Sequence, residues 1–348
     1  NNCSPRVSIW VGKGNNGGDG WLIAYYLQQI GWQVQIITVG FDKQVFAIAE
    51  TTQSSNKEAS LSDANQALQI ALSANCDYLR FEDISSDDKQ NVSEQLQADV
   101  YVDALFGIGL DRAPDGIYKQ AINSLNDAAQ YNGALVIAVD VPSGLVASTG
   151  QVFDQVAVNA DATLCLIARK FGLHTNDGMD YSGQVIDIPL IPYQMASKEF
   201  KPIAKLLTAA YPLNPRRQNS YKGSYGHVLV IGGNRVDGSQ GMGGAAILSA
   251  SSTMATGAGK ITVACHEAFH GALLTSLPDA MTINLHDTDG VTNLIQEASV
   301  IAIGMGLGRD DTDKALFINY IQTAIENNKP IVIAADGLDT LATLKAEQ

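Results

Sequence analysis

Apolar and polar positions along this chain fall into a repeating order of strands and helices. Residues 7–11 alternate with β-prone side chains and read as a buried strand, and the apolar-periodic run 21–30 reads as a helix. A second strand is predicted at 33–39 and a polar loop over 41–60. Leu61, Ala64, Leu68 and Leu72 share one face of an amphipathic helix over 61–74. A third strong strand at 99–105, a helix near 116–130 and a strand at 134–139 follow, with further strand candidates at 163–167 and 185–188. Strands that alternate with helices predict an α/β fold built on a mostly parallel, doubly wound sheet.

The pattern then breaks and restarts. Residues 189–215 hold five prolines and read as a linker with a short helix. A new α/β run begins with a strand inside 222–233, and a glycine-rich stretch over 238–244 opens a small-residue helix to 258. Strand 260–264, a helix ending near Pro278, strand 300–308, helix 313–327 and strand 330–336 complete it. Two α/β domains are therefore expected, 1–195 and 221–348, joined by a linker at 196–220. A length of 348 residues is enough for two cores.

Composition narrows the function classes. A net charge of −14 and a pI near 4.6 argue against nucleic acid as a partner, because that needs a basic footprint. Cys3, Cys76, Cys165 and Cys265 are widely spaced with no C-x-x-C pair, which suits reduced thiols in a cytoplasmic protein. No apolar run reaches membrane-spanning length, so no membrane partner is expected. Residues 1–5 lead almost at once into a core strand and Gln348 follows a helix-like run, so both ends read as cut.

Candidate chemistry gathers where strands end. The stretch GKGNNGGDG over 12–20 places five glycines between a strand and a helix, a design that offers backbone N–H groups and a positive dipole end. No Gly-Lys-Ser/Thr follows and the spacing is wrong for G-x-G-x-x-G, so this is neither of the common phosphate fingerprints. Asn15, Asn16 and Asp19 add side-chain oxygens that suit a hard cation or substrate hydroxyls and amides. Asp103 with the loop 107–113, and Asp140 with Ser143, end two further strands. In an open α/β sheet these three loops converge on one crevice. Each alone has a structural alternative: a cap at Asp103, loop amides at Asp140, or a turn at 142–144.

GKGNNGGDG, VDALFGIGL over 102–110 and DVPSG over 140–144 with Thr149 and Gly150 together resemble the NAD(P)HX epimerase (YjeF N-terminal) family. Lys170-Phe-Gly-Leu-His174, Gly178 and Gly183 resemble that family's tail, so the likeness runs from about 7 to 190. It implies a Rossmann-like sheet that interconverts R- and S-NADHX or NADPHX, nicotinamides hydrated at C6. By position it implies substrate contacts at Asn15, Asn16, Gly17, Gly18, Asp19, Gly107, Ile108, Gly109, Leu110, Asp111, Arg112, Ala113, Tyr118 and Asp140. Potassium (K+) ligands are implied at Asn16, Asp103 and Ser143. Lys13 and Ile108 depart from the family's usual Pro and Thr. Chemically, C6 bears a hydroxyl beside the ring nitrogen, so C–O cleavage gives an iminium that water can re-enter from the other face. That step needs a carboxylate to move protons and face the cation. Asp140 is the first choice and Asp19 the second.

The second half resembles the ribokinase-like NAD(P)H-hydrate dehydratase domain of the same bifunctional proteins, which implies ADP or ATP with Mg2+ as its cofactor. Ala245 and Gly306 match substrate-binding positions and Asp336 a motif position, with Met305 replacing the family's usual Pro. The His-Pro-Gly-Glu stretch and the terminal Gly-x-Gly-Asp helix start have no counterpart here, so these residues are expected to epimerise without dehydrating. A homo-oligomer is expected. His266-Glu-Ala-Phe-His270 fits the H-E-x-x-H zinc pattern but follows a strand directly, so both histidines are expected on a solvated helix face. A small-molecule kinase and a non-catalytic nucleotide-binding scaffold are the alternative readings. An NAD-dependent dehydrogenase lacks its fingerprint turn.

Overall fold

A computed structural model of the chain describes residues 4–46, 62–84, 93–191, 201–207, 215–235 and 241–346. The chain divides into two compact units, Asn1–Ala209 and Ala210–Gln348. In the first, strands β1 (Arg6–Val11), β2 (Gln33–Thr38), β3 (Asp77–Arg80), β4 (Val100–Ala104), β5 (Leu135–Val139), β6 (Ala162–Leu166) and β7 (Gln184–Ile188) form one sheet in the order β3-β2-β1-β4-β5-β6-β7. Every pairing is parallel. The order reverses between β1 and β4, which opens a crevice beyond their carboxyl ends.

Alternation along β1 explains the two-faced core. Val7, Ile9 and Val11 pack on one face with Trp21 of helix α1 (Asn15–Gln29) and with Ala67 and Leu68 of α2 (Asp63–Ser73). Trp10 points to the other face, against Leu125 and Ala128 of α3 (Gly116–Asn132). Burial of both faces is what a doubly wound sheet requires.

The second unit repeats the plan. Strands β8 (His227–Gly232), β9 (Lys260–Cys265), β10 (Met281–Asn284), β11 (Val300–Met305) and β12 (Ile331–Ile333) lie in the parallel order β10-β9-β8-β11-β12, reversing between β8 and β11. Short α4 (Gly178–Tyr181) ends the first unit's helices. The second unit has α5 (Gly243–Ala255), α6 (His270–Ser276), α7 (Thr288–Glu297), α8 (Asp311–Glu326) and α9 (Asp336–Ala346).

Four expectations change. Helix α1 begins at Asn15 rather than Trp21, so most of the glycine-rich stretch is helix and only Gly12 to Gly14 is turn. Strands β3 and β10 went unpredicted, because four-residue strands with half their side chains polar carry almost no periodicity. Helix α7 was missed because its first residues, Thr-Asp-Gly, read as a turn. The last predicted strand shortens to Ile331–Ile333, and Asp336 opens a helix. Most of the predicted 41–60 loop, and Cys3, lie outside the described residues, while Cys76, Cys165 and Cys265 are free and buried.

The glycines at the head of α1 serve close packing. A Cβ on Gly12 would come within 2.1 Å of the Leu105 carbonyl, and one on Gly17 within 1.9 Å of the Gly12 carbonyl. Both obstacles are main chain, so neither can step aside. Gly17→Ala should therefore destabilise the first unit by about 3 kcal/mol, the upper range for overpacking. Trp10, Trp21 and Trp32, the chain's only tryptophans, all lie in that unit. Urea unfolding followed by tryptophan fluorescence reads it directly, and an unchanged midpoint would contradict the packing account.

Candidate active site at the sheet switch point

The carboxyl ends of β1, β4 and β5 are laced together by one buried acid. Asp103, the fourth residue of β4, is fully buried. Its Oδ1 accepts from the Ser143 hydroxyl (2.6 Å) and the Leu105 N–H (3.2 Å), and its Oδ2 accepts from the Ser143 N–H (2.7 Å). The Ser143 oxygen in turn accepts from the Phe106 N–H at 2.8 Å. From the third loop, Asn16 Nδ2 donates to the Phe106 carbonyl at 2.7 Å. The structure thus gathers all three residues expected to hold a cation around the Phe106 main chain. Burial pushes the Asp103 carboxyl up to about 6, and the bonds from Ser143 and Leu105 offset part of that rise.

These groups suit an oxygen-seeking ion. Carboxamide, hydroxyl, carboxylate and main-chain carbonyl oxygens make up the set, with no histidine or thiol in it. Among the described residues no group of three or more His, Cys, Asp or Glu side chains could hold a metal ion. The chemistry of this donor set fits a hard monovalent cation better than a transition metal.

Asp140 stands beside this knot. It follows β5 with φ +69°, and its N–H bonds to the Leu164 carbonyl at 2.8 Å. Its carboxylate is mostly buried and pairs with Lys170, whose ammonium also donates to the Leu166 carbonyl at 2.7 Å. Asp19, on the second turn of α1, is half-buried, and its carboxyl is raised by burial and then by the charge of Asp140. Two carboxyls therefore share one neighbourhood, and both burial and the charge of Asp140 favour the protonated form of Asp19. Sequence reasoning gave Lys170 no role. Its position in the Lys170–His174 stretch after β6 was the available signal.

The remaining expected contacts divide by exposure. Asn15 and most of the 107–113 loop (Ile108, Gly109, Asp111 and Arg112) are exposed, while Gly107, Leu110 and Ala113 are half-buried. Ile108 is 65% exposed. Gly17 and Gly18 are buried in helix packing, Gly18 against Ala64. Tyr118 packs on Phe106 with ring centroids 4.8 Å apart, and its phenol is raised by burial and then by Glu82.

In the second unit, Ala245 and Gly306 meet at the β8/β11 switch point, where a Cβ on Gly306 would lie 3.5 Å from the Ala245 Cβ. Buried Asn234 ties the loops there: its N–H donates to the Gly306 carbonyl (2.7 Å), its Nδ2 to Asp313 (2.7 Å), and its carbonyl accepts from Met242 (3.2 Å). Asp336 accepts from the Gly308 N–H (3.1 Å) and from Arg309 (2.8 Å). The two histidines of the zinc-like pattern are half-buried rather than solvated. His266 Nδ1 accepts from the Ala268 N–H, and His270 Nε2 reaches the Cys265 and Ile283 carbonyls at 3.3 and 3.2 Å. Both rings are taken by local backbone.

Residues 1–172 match the family model described as YjeF-related protein N-terminus, and 228–348 match the one described as NAD(P)H-hydrate dehydratase. The chain is similar to proteins named bifunctional NAD(P)H-hydrate repair enzyme Nnr. Identity is 32% to that of Coxiella burnetii, covering 97% of this chain and 62% of the relative. It is 33% to that of Moorella thermoacetica (98% and 61%) and 32% to that of Escherichia coli (97% and 59%). The chain thus spans about three fifths of the length of these curated relatives.

The raised Asp103 carboxyl makes a pH prediction. A folded-state value above the unfolded one contributes stability that is fully present below the unfolded value, near 3.8, and is lost as pH rises through about 6. In potassium-free buffer, the first unit of the wild type should lose stability between pH 4 and 7. Asp103→Asn should show a shallower loss over the same window. Equal slopes in urea melts would contradict the assignment.

Proposed function

The chain belongs to the family of bifunctional NAD(P)H-hydrate repair proteins, and on that premise we propose that its first unit interconverts the R and S epimers of NADHX or NADPHX. One observation carries the reading. Asp140, held at the end of β5 by Lys170 and Leu166, lies within charge reach of Asp19 at the switch point, next to the hydrogen-bonded knot of Asn16, Asp103 and Ser143. The ring nitrogen's lone pair expels the C6 hydroxyl, which takes a proton from Asp19 and leaves as water. Water adds to the opposite face of the N1=C6 iminium and gives its proton to Asp140, and transfer between the two carboxyls resets the site. The Asp140 carboxylate also faces the developing cation, where a fixed charge in a water-poor site acts most strongly. Asn15, the 107–113 loop and Tyr118 line the approach and orient the dinucleotide.

In this reading Asn16, Asp103 and Ser143, with the Phe106 carbonyl, hold potassium. When bound, the ion supplies fixed positive charge that locks the three loops. The second unit dehydrates S-NAD(P)HX with ADP or ATP and Mg2+ in the complete protein, with Ala245 and Gly306 against the substrate. A cytoplasmic homo-oligomer without a nucleic-acid partner completes the proposal, in keeping with the −14 charge. Among the described residues no helix is long and apolar enough to cross a membrane.

Asp140→Asn should slow epimer interconversion by about 10²–10⁴, the usual worth of one general acid or base. Chromatography of chirally resolved NADHX after incubation measures it, and near-normal turnover would remove Asp140 from the mechanism. Crystals grown in thallium(I) should show an anomalous peak between Asn16 and Ser143. A peak only elsewhere, or none, would defeat the potassium assignment.

A further inference from the structure

The loops after β5 and β6 share an unusual construction that the mechanism above leaves unused. At Asp140, φ is +69°, and the Val141 N–H bonds back to the Val139 carbonyl at 2.8 Å. At Ile167, φ is +66°, and the Ala168 N–H bonds back to the Leu166 carbonyl at 2.7 Å. Each is a γ-turn of positive φ, the rare and strained form. A β-branched residue is a genuine outlier there, and Ile167 is 54% exposed, so its own burial does not compensate. Such strain persists only where surrounding bonds over-determine it. Here the Ile167 N–H bonds to the Ile188 carbonyl (3.0 Å) and the Asp140 N–H to Leu164.

The turn at Ile167 has a specific consequence. It presents the Leu166 carbonyl to the Lys170 ammonium (2.7 Å), while the Leu166 N–H, at the end of β6, donates to Asp140 Oδ1 (3.1 Å). That ammonium also bonds Asp140 Oδ1. Both bonds on the Asp140 carboxylate therefore land on Oδ1. Among the described residues Oδ2 accepts none. Of the other charged or titratable groups nearby, Arg169 bonds Asp187 (2.7 Å) and meets His174 (3.4 Å), and the Cys165 thiol donates to the Ala168 carbonyl (3.1 Å) while its sulfur accepts a third, longer bond from Lys170 (3.8 Å). Asp103 faces Ser143. Asp19, on α1, feels the charge of Asp140 from the helix side.

We propose that Lys170 is the positioning residue of the epimerisation, holding Asp140 by Oδ1 so that Oδ2 alone exchanges the proton. This rests on the epimerase reading above. As water adds to C6, its departing proton goes to Oδ2 while Oδ1 stays bonded to Lys170 and Leu166, so the carboxylate cannot swing away from the reacting carbon. Lys170 touches no reacting atom. Its effect falls on the chemical step and not on binding.

The test is steady-state epimerisation of resolved R-NADHX by the full chain. Lys170→Ala should lower kcat by about 10²-fold, the cost of a misplacement near 1 Å, with KM little changed. Ethylammonium should restore kcat in a saturable way, and ethanol at the same concentrations should not. Lys170→Met, which fills the space without charge, should show the same loss and no rescue. Tryptophan fluorescence confirms that each variant is folded. An unchanged kcat in Lys170→Ala, a loss confined to KM, equal rescue by ethanol, or an active Lys170→Met would overturn the proposal. A wild-type chain that leaves both epimers untouched would instead overturn the epimerase reading itself.

Discussion

The first unit depends on the bond set of one buried carboxyl. Asp103 lies at the bottom of the switch-point crevice with no exposed surface, where an unpaired charge would be strongly unfavourable. Three donors from two loops meet it, and the oxygen of one of them, Ser143, fixes the start of the 107–113 loop through Phe106. Asn16 closes the ring from the helix side. Removing any of these partners frees a loop that carries expected substrate contacts. The neighbouring carboxyls, Asp19 and Asp140, owe their juxtaposition to the same lacing, because it fixes both α1 and the loop after β5.

Each unit solves the same problem with the same residue type. Where the strand order reverses, two parallel strands send their chains in opposite directions and leave main-chain groups without sheet partners. In the first unit the Asn16 carboxamide spans that gap to the β4 loop; in the second, the Asn234 main-chain N–H spans it to the β11 loop while its carboxamide reaches Asp313 at the start of α8. The Asn234 carboxamide both donates to Asp313 and accepts from the Arg235 N–H, as a neutral group buried at a loop junction can. The second unit's Asp310 and Asp313 add a reciprocal cap at the head of α8, which holds Asp313 in reach of Asn234.

Much of this was legible in the amino-acid order, for physical reasons. Strong strands such as β1, β4, β5, β8 and β11 are buried and apolar enough to announce themselves, and the Asp and Asn residues that follow or end β1, β4 and β5 predicted a shared crevice. The purpose of the glycines was not legible. The expectation for them is backbone N–H groups offered to a ligand, whereas Gly12 and Gly17 are demanded by carbonyls that only the folded packing brings near. Lys170 was also hidden, since its partner Asp140 lies thirty residues earlier and only the adjacency of β5 and β6 joins them. Short strands β3 and β10 offered too few residues to show a period.

In the proposed epimerisation, a carboxyl pair at this switch point breaks and remakes the C6–O bond. Oxygen-18 water tests it most directly. Resolved R-NADHX incubated with the chain in labelled water should yield S-NADHX carrying the label at its C6 hydroxyl, at the rate of epimerisation, and Asp140→Asn should suppress label entry and inversion together. Epimerisation that proceeds with the original oxygen retained would contradict C–O cleavage, and with it the role given to both carboxyls.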